Sequence, residues 1–373
     1  TTTYPRELHR FKGHHQSISS IAFSPDRSAL ISSCGSESRV WNLGLPSKSQ
    51  ALGSIDNDVK GISVSPDGKR LAVCYGQQLA IWHLEGEYLL RSVRGPAITC
   101  AFSPDGRVVA VVGNDHRITL RDAKNAAVLR HWDCAPSNPS GPDNNSPGSL
   151  EFSPDGRYLA VAFGKLTLRP EPIQGNYALK VFDVDSGELV LDRYSESRWI
   201  SLDFSSDSRL LAASAEIDGV SIVSTHDWSD VTRLEGSGPY YTARFSPDDQ
   251  WLVIAKSARE KMLLGSELVF TDTSSWTTAR HISGLRHLPT DIEFSGDLLL
   301  CSSMDHRIRI WDFDSCREMA GLRDAGKETR SIAMTPGGRT LIAAGHGIRL
   351  WRSSPRIWSD GERAVQFVNE RLN

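Results

Sequence analysis

No run of apolar residues approaches the roughly 18 that cross a membrane, and no apolar N-terminal stretch resembles a secretory leader. The six cysteines, Cys34, Cys74, Cys100, Cys134, Cys301 and Cys316, fall at no metal-ligand spacing, and no Cys-x-x-Cys pair occurs. An excess of one charge is missing too: 42 Lys and Arg face 45 Asp and Glu, a formal net of −3. Several phosphate contacts usually show as a basic run, so its absence argues against nucleic acid as a partner, although a ring can gather basic residues on one face. There is no Gly-rich phosphate loop before a helix, no His-Glu-x-x-His and no nucleophile elbow. These absences lead to the expectation of a protein without membrane span, metal, cofactor or catalysis. The first residue is Thr1 rather than Met, which leaves a trimmed leader or a larger parent chain open.

What the chain does have is a repeat. A hydrophobic anchor followed by a tight polar turn, often close to Phe-Ser-Pro-Asp-Gly, recurs at Phe23, Val64, Phe102, Phe152, Phe204, Phe245, Phe294 and Met334. The intervals are 41, 38, 50, 52, 41, 49 and 40 residues, so the fold is an array. Seven residues after most anchors a branched apolar residue marks a second strand, as at Leu30, Leu71, Val109 and Leu159. A third strand with apolar residues at alternate positions ends in Trp41, Trp82, Arg121, Phe182, Val223, Phe270, Trp311 and Trp351. A weaker fourth strand precedes the next anchor. Asp26, Asp67, Asp105 and Asp155 hold one turn position, where Asp favours chain reversal, and read as turn formers rather than metal ligands. Cys74 stands where other repeats place Ser, Val or Ala, so the cysteines read as small buried residues of a reducing compartment.

Four short antiparallel strands repeated in sequence make an all-β propeller, because no single blade buries both of its faces. Here the residues resemble a known family. Phe11-Lys12-Gly13-His14 before the first anchor and Ile308-Arg309-Ile310-Trp311-Asp312 at the seventh are similar to the motifs of WD-repeat propellers. That resemblance spans nearly the whole chain. It implies a buried hydrogen-bonded set of His, Ser or Thr, Asp and Trp, for which Ser302 or Ser303, Asp305 and Trp311 are the matching positions, while His287 sits about two residues too close to its anchor. It also implies a non-catalytic scaffold that binds a protein or peptide, in the cytoplasm or nucleus. Such a scaffold stands alone or serves as the sensing module of a larger signalling protein. The alternative is a propeller hydrolase or lactonase, which would need His, Asp, Glu or metal ligands clustered at the channel mouth.

Eight repeats predict a single propeller over residues 1–373 with eight four-stranded antiparallel blades, and 352–373 as a C-terminal extension. Glu7-Leu8-His9-Arg10-Phe11 is the expected closing strand, with Ala364–Val368 as its competitor and a seven-bladed ring as the alternative. Three stretches exceed the repeat length: 136–148, 164–176 and 257–266. The first joins a fourth strand to the next first strand and the others join second to third strands, which puts all three on one face over the third to sixth repeats. Loops of this length are usually functional or disordered. The expected partner-binding residues are Arg169, Glu171, Arg198, Tyr241, Lys256, Arg259 and Lys261. Trp199 and Tyr240 align with Ile18 and read as core.

Overall fold

The turns reverse the chain by a repeated side-chain device. Ser65 Oγ donates to Asp67 Oδ1 at 2.5 Å and accepts the Arg70 N–H at 2.9 Å. Ser103, Ser153, Ser205 and Ser246 make the same bond to Asp105, Asp155, Asp207 and Asp248. The turn aspartates are therefore occupied as chain-reversing acceptors. Gly68, Gly106 and Gly156 follow with φ of 68°, 67° and 76°, a region open to glycine. At the same position Ser208 and Asp249 hold φ of 62° and 56°. Both are tied to a neighbouring turn: Ser208 Oγ accepts the Asp155 N–H at 2.9 Å, and Asp249 accepts the Ser206 N–H at 2.8 Å.

The computed structural model describes residues 59–352, apart from 85, 87, 136–145, 165–176, 237–238, 258–264, 286, 306, 323–330, 337–339 and 346. Before residue 59 it describes the backbone of four strands, and of 319–322, 345, 347 and 351–352 it likewise describes the backbone alone. Every regular element among the described residues is a strand. Seven four-stranded antiparallel sheets form, with the anchor-bearing strand first in each. These inner strands are Val59–Val64, Thr99–Phe102, Pro147–Phe152, Trp199–Phe204, Tyr240–Phe245, Pro289–Ser295 and Ser331–Met334, of blades one to seven. Each packs beside the next, and Ser331–Met334 packs beside Val59–Val64, which closes the circle.

The ring has seven blades, the alternative count, and the expectation of eight is corrected. Blade seven meets blade one through Ile342, Ala344, Ile348 and Leu350 against Val59, Leu71, Val73, Ala80 and Trp82, so no gap remains for another sheet. The first repeat lies outside the ring, as a three-stranded sheet of Ser20–Phe23, Ala29–Cys34 and Glu37–Asn42. Its turn and strand pattern is as complete as any other, so its sequence gave no sign of exclusion. The closing strand is also corrected: Gln50–Ala51 pairs with Gly347–Arg352 through Arg349↔Ala51 and Leu350↔Gln50. Residues 7–11 and 364–368 lie outside the described residues.

Register follows the predicted slots, as in Val64↔Leu71↔Trp82 and Phe294↔Leu299↔Trp311. Blade five departs by one residue. Leu252 pairs with Thr271 rather than Phe270, and a slip of one exchanges the faces of a strand. Phe270 is fully buried among Val253, Ala255, Leu299 and Trp311. The polar set in blade six also differs from the expected one. Ser303 donates to Asp305, and Arg309 holds both, with Nη1 at 2.9 Å from Ser303 Oγ. Arg309 thus joins Ser303 and Asp305 in that set. Of the cysteines with described side chains, Cys74, Cys100, Cys134 and Cys301 are buried and Cys316 is half-buried, all as free thiols. Burial pushes the Cys134 thiol up to about 12.

Candidate functional site

Where the three insertions leave the ring, their ends are joined by backbone hydrogen bonds. The Gly164 N–H donates to Ser146 O at 3.1 Å, which links the end of the first insertion to the start of the second. The Ser257 N–H, at the start of the third, donates to Pro239 O at 2.8 Å. Between them the Glu216 N–H donates to Arg198 O at 2.9 Å, and the Tyr240 N–H to Glu216 O at 2.8 Å. Pro239, Arg198 and Ser146 precede inner strands, while Gly164 and Glu216 follow second strands and Ser257 ends one. One face of the propeller carries them all.

Beneath this line lies a buried ion pair. Arg198 Nε donates to Glu216 Oε2 at 2.9 Å, and Nη2 lies 2.7 Å from both carboxylate oxygens. Their side chains are 0% and 1% exposed. Gly164 sits against this residue so closely that a Cβ there would fall 2.7 Å from Arg198 Cβ. Any larger residue at 164 would displace the start of the second insertion. Trp199 donates its indole N–H to Tyr177 O at 3.1 Å, and so fixes the residue at which that insertion returns.

The expected binding residues divide into three groups. Arg198 and Tyr241 are buried at 0% and 1% exposure, so their side chains offer a partner no surface. Lys256 is half-buried, 3.5 Å from Glu267 and 5.9 Å above the Tyr240 ring. Arg169, Glu171, Arg259 and Lys261 belong to insertions outside the described residues. Trp199 and Tyr240 are core, as their alignment with Ile18 implied.

Sequence reasoning missed the central channel. The residue just before each anchor lines it: Ser63, Ala101, Glu151, Asp203, Arg244, Glu293 and Ala333. So does the third residue before: Gly61, Thr99, Ser149, Ser201, Thr242, Asp291 and Ser331. Aligning the repeats at these two positions would have exposed four carboxylates and an arginine. The lining extends to Lys60 and Gly148 toward the insertion face and to Ser206, Pro247 and Asp249 toward the opposite face.

Several of these side chains fasten an inner strand to its neighbour, whose edge N–H groups would otherwise lack acceptors. Ser63 Oγ accepts the Phe102 N–H at 2.9 Å, and Asp203 Oδ2 the Phe245 N–H at 2.6 Å. Asp291 Oδ2 accepts the Ile332 N–H and the Ser331 hydroxyl, both at 3.0 Å. Arg244 bridges three blades, with Nη1 3.2 Å from Asp203 and Nη2 3.7 Å from Asp291. Burial, with neighbouring carboxylates adding to it against Arg244, pushes Glu293 up to about 8 and Glu151 to about 7. Burial also raises Asp203, to about 6, although Arg244 and the Phe245 N–H oppose it. Burial acts to lower the Arg244 guanidinium, but Asp203, Asp291 and Glu151 outweigh it and hold it above its usual range. No group of three or more His, Cys, Asp or Glu among the described residues has the geometry of a metal site.

The family model described as WD domain, G-beta repeat, matches residues 5–42, 87–122 and 275–312. Those three matches, on a ring of four-stranded antiparallel blades, are consistent with the class of WD-repeat β-propellers. Propellers of this family are typically protein-interaction scaffolds and typically non-enzymatic. None of the curated proteins compared with the chain matches it. Among the described residues no helix is long and apolar enough to cross a membrane.

Proposed function

We propose that the protein is a non-catalytic scaffold that binds a protein or peptide on the insertion face, across blades two to five. The observation that carries this reading is the set of backbone hydrogen bonds Gly164–Ser146, Glu216–Arg198, Tyr240–Glu216 and Ser257–Pro239 along one face, set on the Arg198–Glu216 pair. Insertions mounted on a rigid base lose less entropy on binding, which favours affinity. Within them Arg169, Glu171, Arg259 and Lys261 supply charge, and Lys256 stands at the edge of the third. Arg198 and Tyr241 act beneath the surface, as supports. The reading includes an intracellular setting, cytoplasmic or nuclear, and a role as the sensing module of a larger signalling protein.

The test is to shorten 136–148, 164–176 and 257–266 to the lengths of the equivalent loops and compare captured partners by quantitative mass spectrometry. The trimmed ring should melt as the parent does, since the buried clusters of the blades draw on none of the residues removed from within the insertions. Partner capture should fall at least tenfold. Unchanged capture by a folded, trimmed ring would move the site to the opposite face or the outer rim.

A further inference from the structure

The central channel carries four carboxylates, Glu151, Asp203, Asp291 and Glu293, against one guanidinium, that of Arg244. Arg244 is committed to two of them, with Nη1 3.2 Å from Asp203 and Nη2 3.7 Å from Asp291, and Nη1 also donates to Leu202 O at 2.8 Å. Glu151, on blade three, makes no hydrogen bond or ion pair with any described residue. Glu293, on blade six, accepts the Met334 N–H and has no ion-pair partner among the described residues. Two carboxylates from well-separated blades thus face one lumen with no cation of their own.

A buried hydroxyl in the same lumen is also without a partner. Thr99 is 8% exposed, lines the wall with Glu151 and Asp291, and its Oγ1 makes no hydrogen bond with any described residue. The equivalent side chains elsewhere in the ring are joined, Ser201 to Thr242 at 3.2 Å and Ser331 to Asp291 at 3.0 Å. An unpaired buried hydroxyl costs free energy, which a ligand N–H donated to it offsets. Blades one, two and seven line the lumen with small side chains, Gly61, Ser63, Thr99, Ala101, Ser331 and Ala333. They leave a cavity of about 200 Å³ at the level of Thr99 and about 390 Å³ at the level of Glu293.

The complementary ligand is cationic, slender and able to donate hydrogen bonds at two places. A metal ion does not fit, since among the described residues no three His, Cys, Asp or Glu have metal-site geometry. A primary ammonium does: it has three donors and no acceptor, and Glu151, Glu293 and Thr99 all offer acceptor oxygens. Two ammonium groups joined by methylenes engage both glutamates from one chain, with the methylenes along Ala101 and Ala333.

We propose that the channel binds a linear aliphatic diamine or polyamine, with one ammonium on Glu151 and Thr99 and another on Glu293. This site is separate from the insertion face and does not depend on the partner proposed there. Glu293 at about 8 and Glu151 at about 7 hold protons near neutral pH, while an alkylammonium keeps its charge to about pH 10. The ligand favours the ionised carboxylates, so it binds in exchange for protons and its affinity increases with pH until both glutamates are ionised. Of the other charged groups facing the lumen, Asp203, at about 6, is already ionised over most of that range, burial raises Asp291, and Arg244 stays charged throughout.

Isothermal titration with spermidine at pH 6 and pH 8, repeated at pH 7 in two buffers of different ionisation enthalpy, tests the proposal. Binding should be one to one, about tenfold tighter at pH 8 than at pH 6, and accompanied by proton release at pH 7. Butylamine, with a single ammonium, should bind at least tenfold more weakly than spermidine. Glu151→Gln, Glu293→Gln and Thr99→Val should each weaken spermidine binding at least fivefold, while Glu188→Gln, on the exposed surface of blade three, should change nothing. Melting curves check that each variant folds, and Thr99→Val, which alters no charge, reports on the site even where a glutamate variant does not fold. Any one of three results overturns the proposal: no saturable binding at millimolar spermidine and pH 8, equal affinity at pH 6 and pH 8, or full affinity in the folded channel variants. The last would assign the binding to acidic residues on the outer surface.

Discussion

Arg198 and Glu216 form a bidentate ion pair that solvent does not reach, under the face from which the insertions emerge. Two buried charges are stabilising only together, because either alone keeps its desolvation cost without its partner. Glu216→Ala should therefore cost about 3–5 kcal/mol in guanidinium unfolding. Replacing both, as Arg198→Met with Glu216→Leu, should cost much less. Equal losses in the single and double variants would mean that packing, not charge pairing, is what Glu216 provides.

The channel carboxylates set a pH dependence. Glu293 at about 8, Glu151 at about 7 and Asp203 at about 6 hold protons in the folded chain that the unfolded chain, near 4, has already released. Between those limits the folded state binds more protons, so stability falls as pH rises. Asp105, held low first by the Ser103 hydroxyl, and Asp272, held low first by that of Ser274, work in the opposite sense below about pH 4. The melting temperature should peak near pH 5 and decline toward pH 8.5. Glu293→Gln should flatten that decline; a melting temperature that rises from pH 5 to 8 would contradict the channel electrostatics.

Trp311 is 2% exposed, in a core shared with Phe270, Leu299 and Ile292. Trp311→Ala should cost about 3–5 kcal/mol from lost transfer energy and the cavity left behind. Trp276 stands in a turn at φ 55° and packs only partly against the blade-five core, so Trp276→Ala should cost clearly less. Equal unfolding midpoints for the two variants would place Trp311 outside the core.

Closure by Gln50–Ala51 moves the sensitive point of the N-terminal region. Removing residues 1–46 should leave the ring's melting temperature within about 2 °C of the parent. Removing 1–52 should lower it by several degrees, because Gly347–Arg352 then loses its outer partner. An equal fall on removing residues 1–12 alone would restore Glu7–Phe11 as the closing strand.

Local chemistry made much of this molecule legible in its sequence. The Ser-Pro-Asp turns, the alternation in the strands and the anchor spacing each act within one repeat, so the blades and their registers could be read directly, except where Thr271 rather than Phe270 faces Leu252. Blade count could not, because closure depends on which two sheets meet: Ile348 and Leu350 bury against Val73 and Trp82 across nearly the whole chain, and that contact left the first repeat outside. The same holds for the candidate site. Long insertions were visible as excess length, but Arg198 and Tyr241 were read as surface residues because pairing with Glu216 and burial between blades are tertiary events. The channel charges, too, acquire meaning only in the ring, where residues about 40–140 apart in sequence, from Glu151 to Glu293, converge on Arg244.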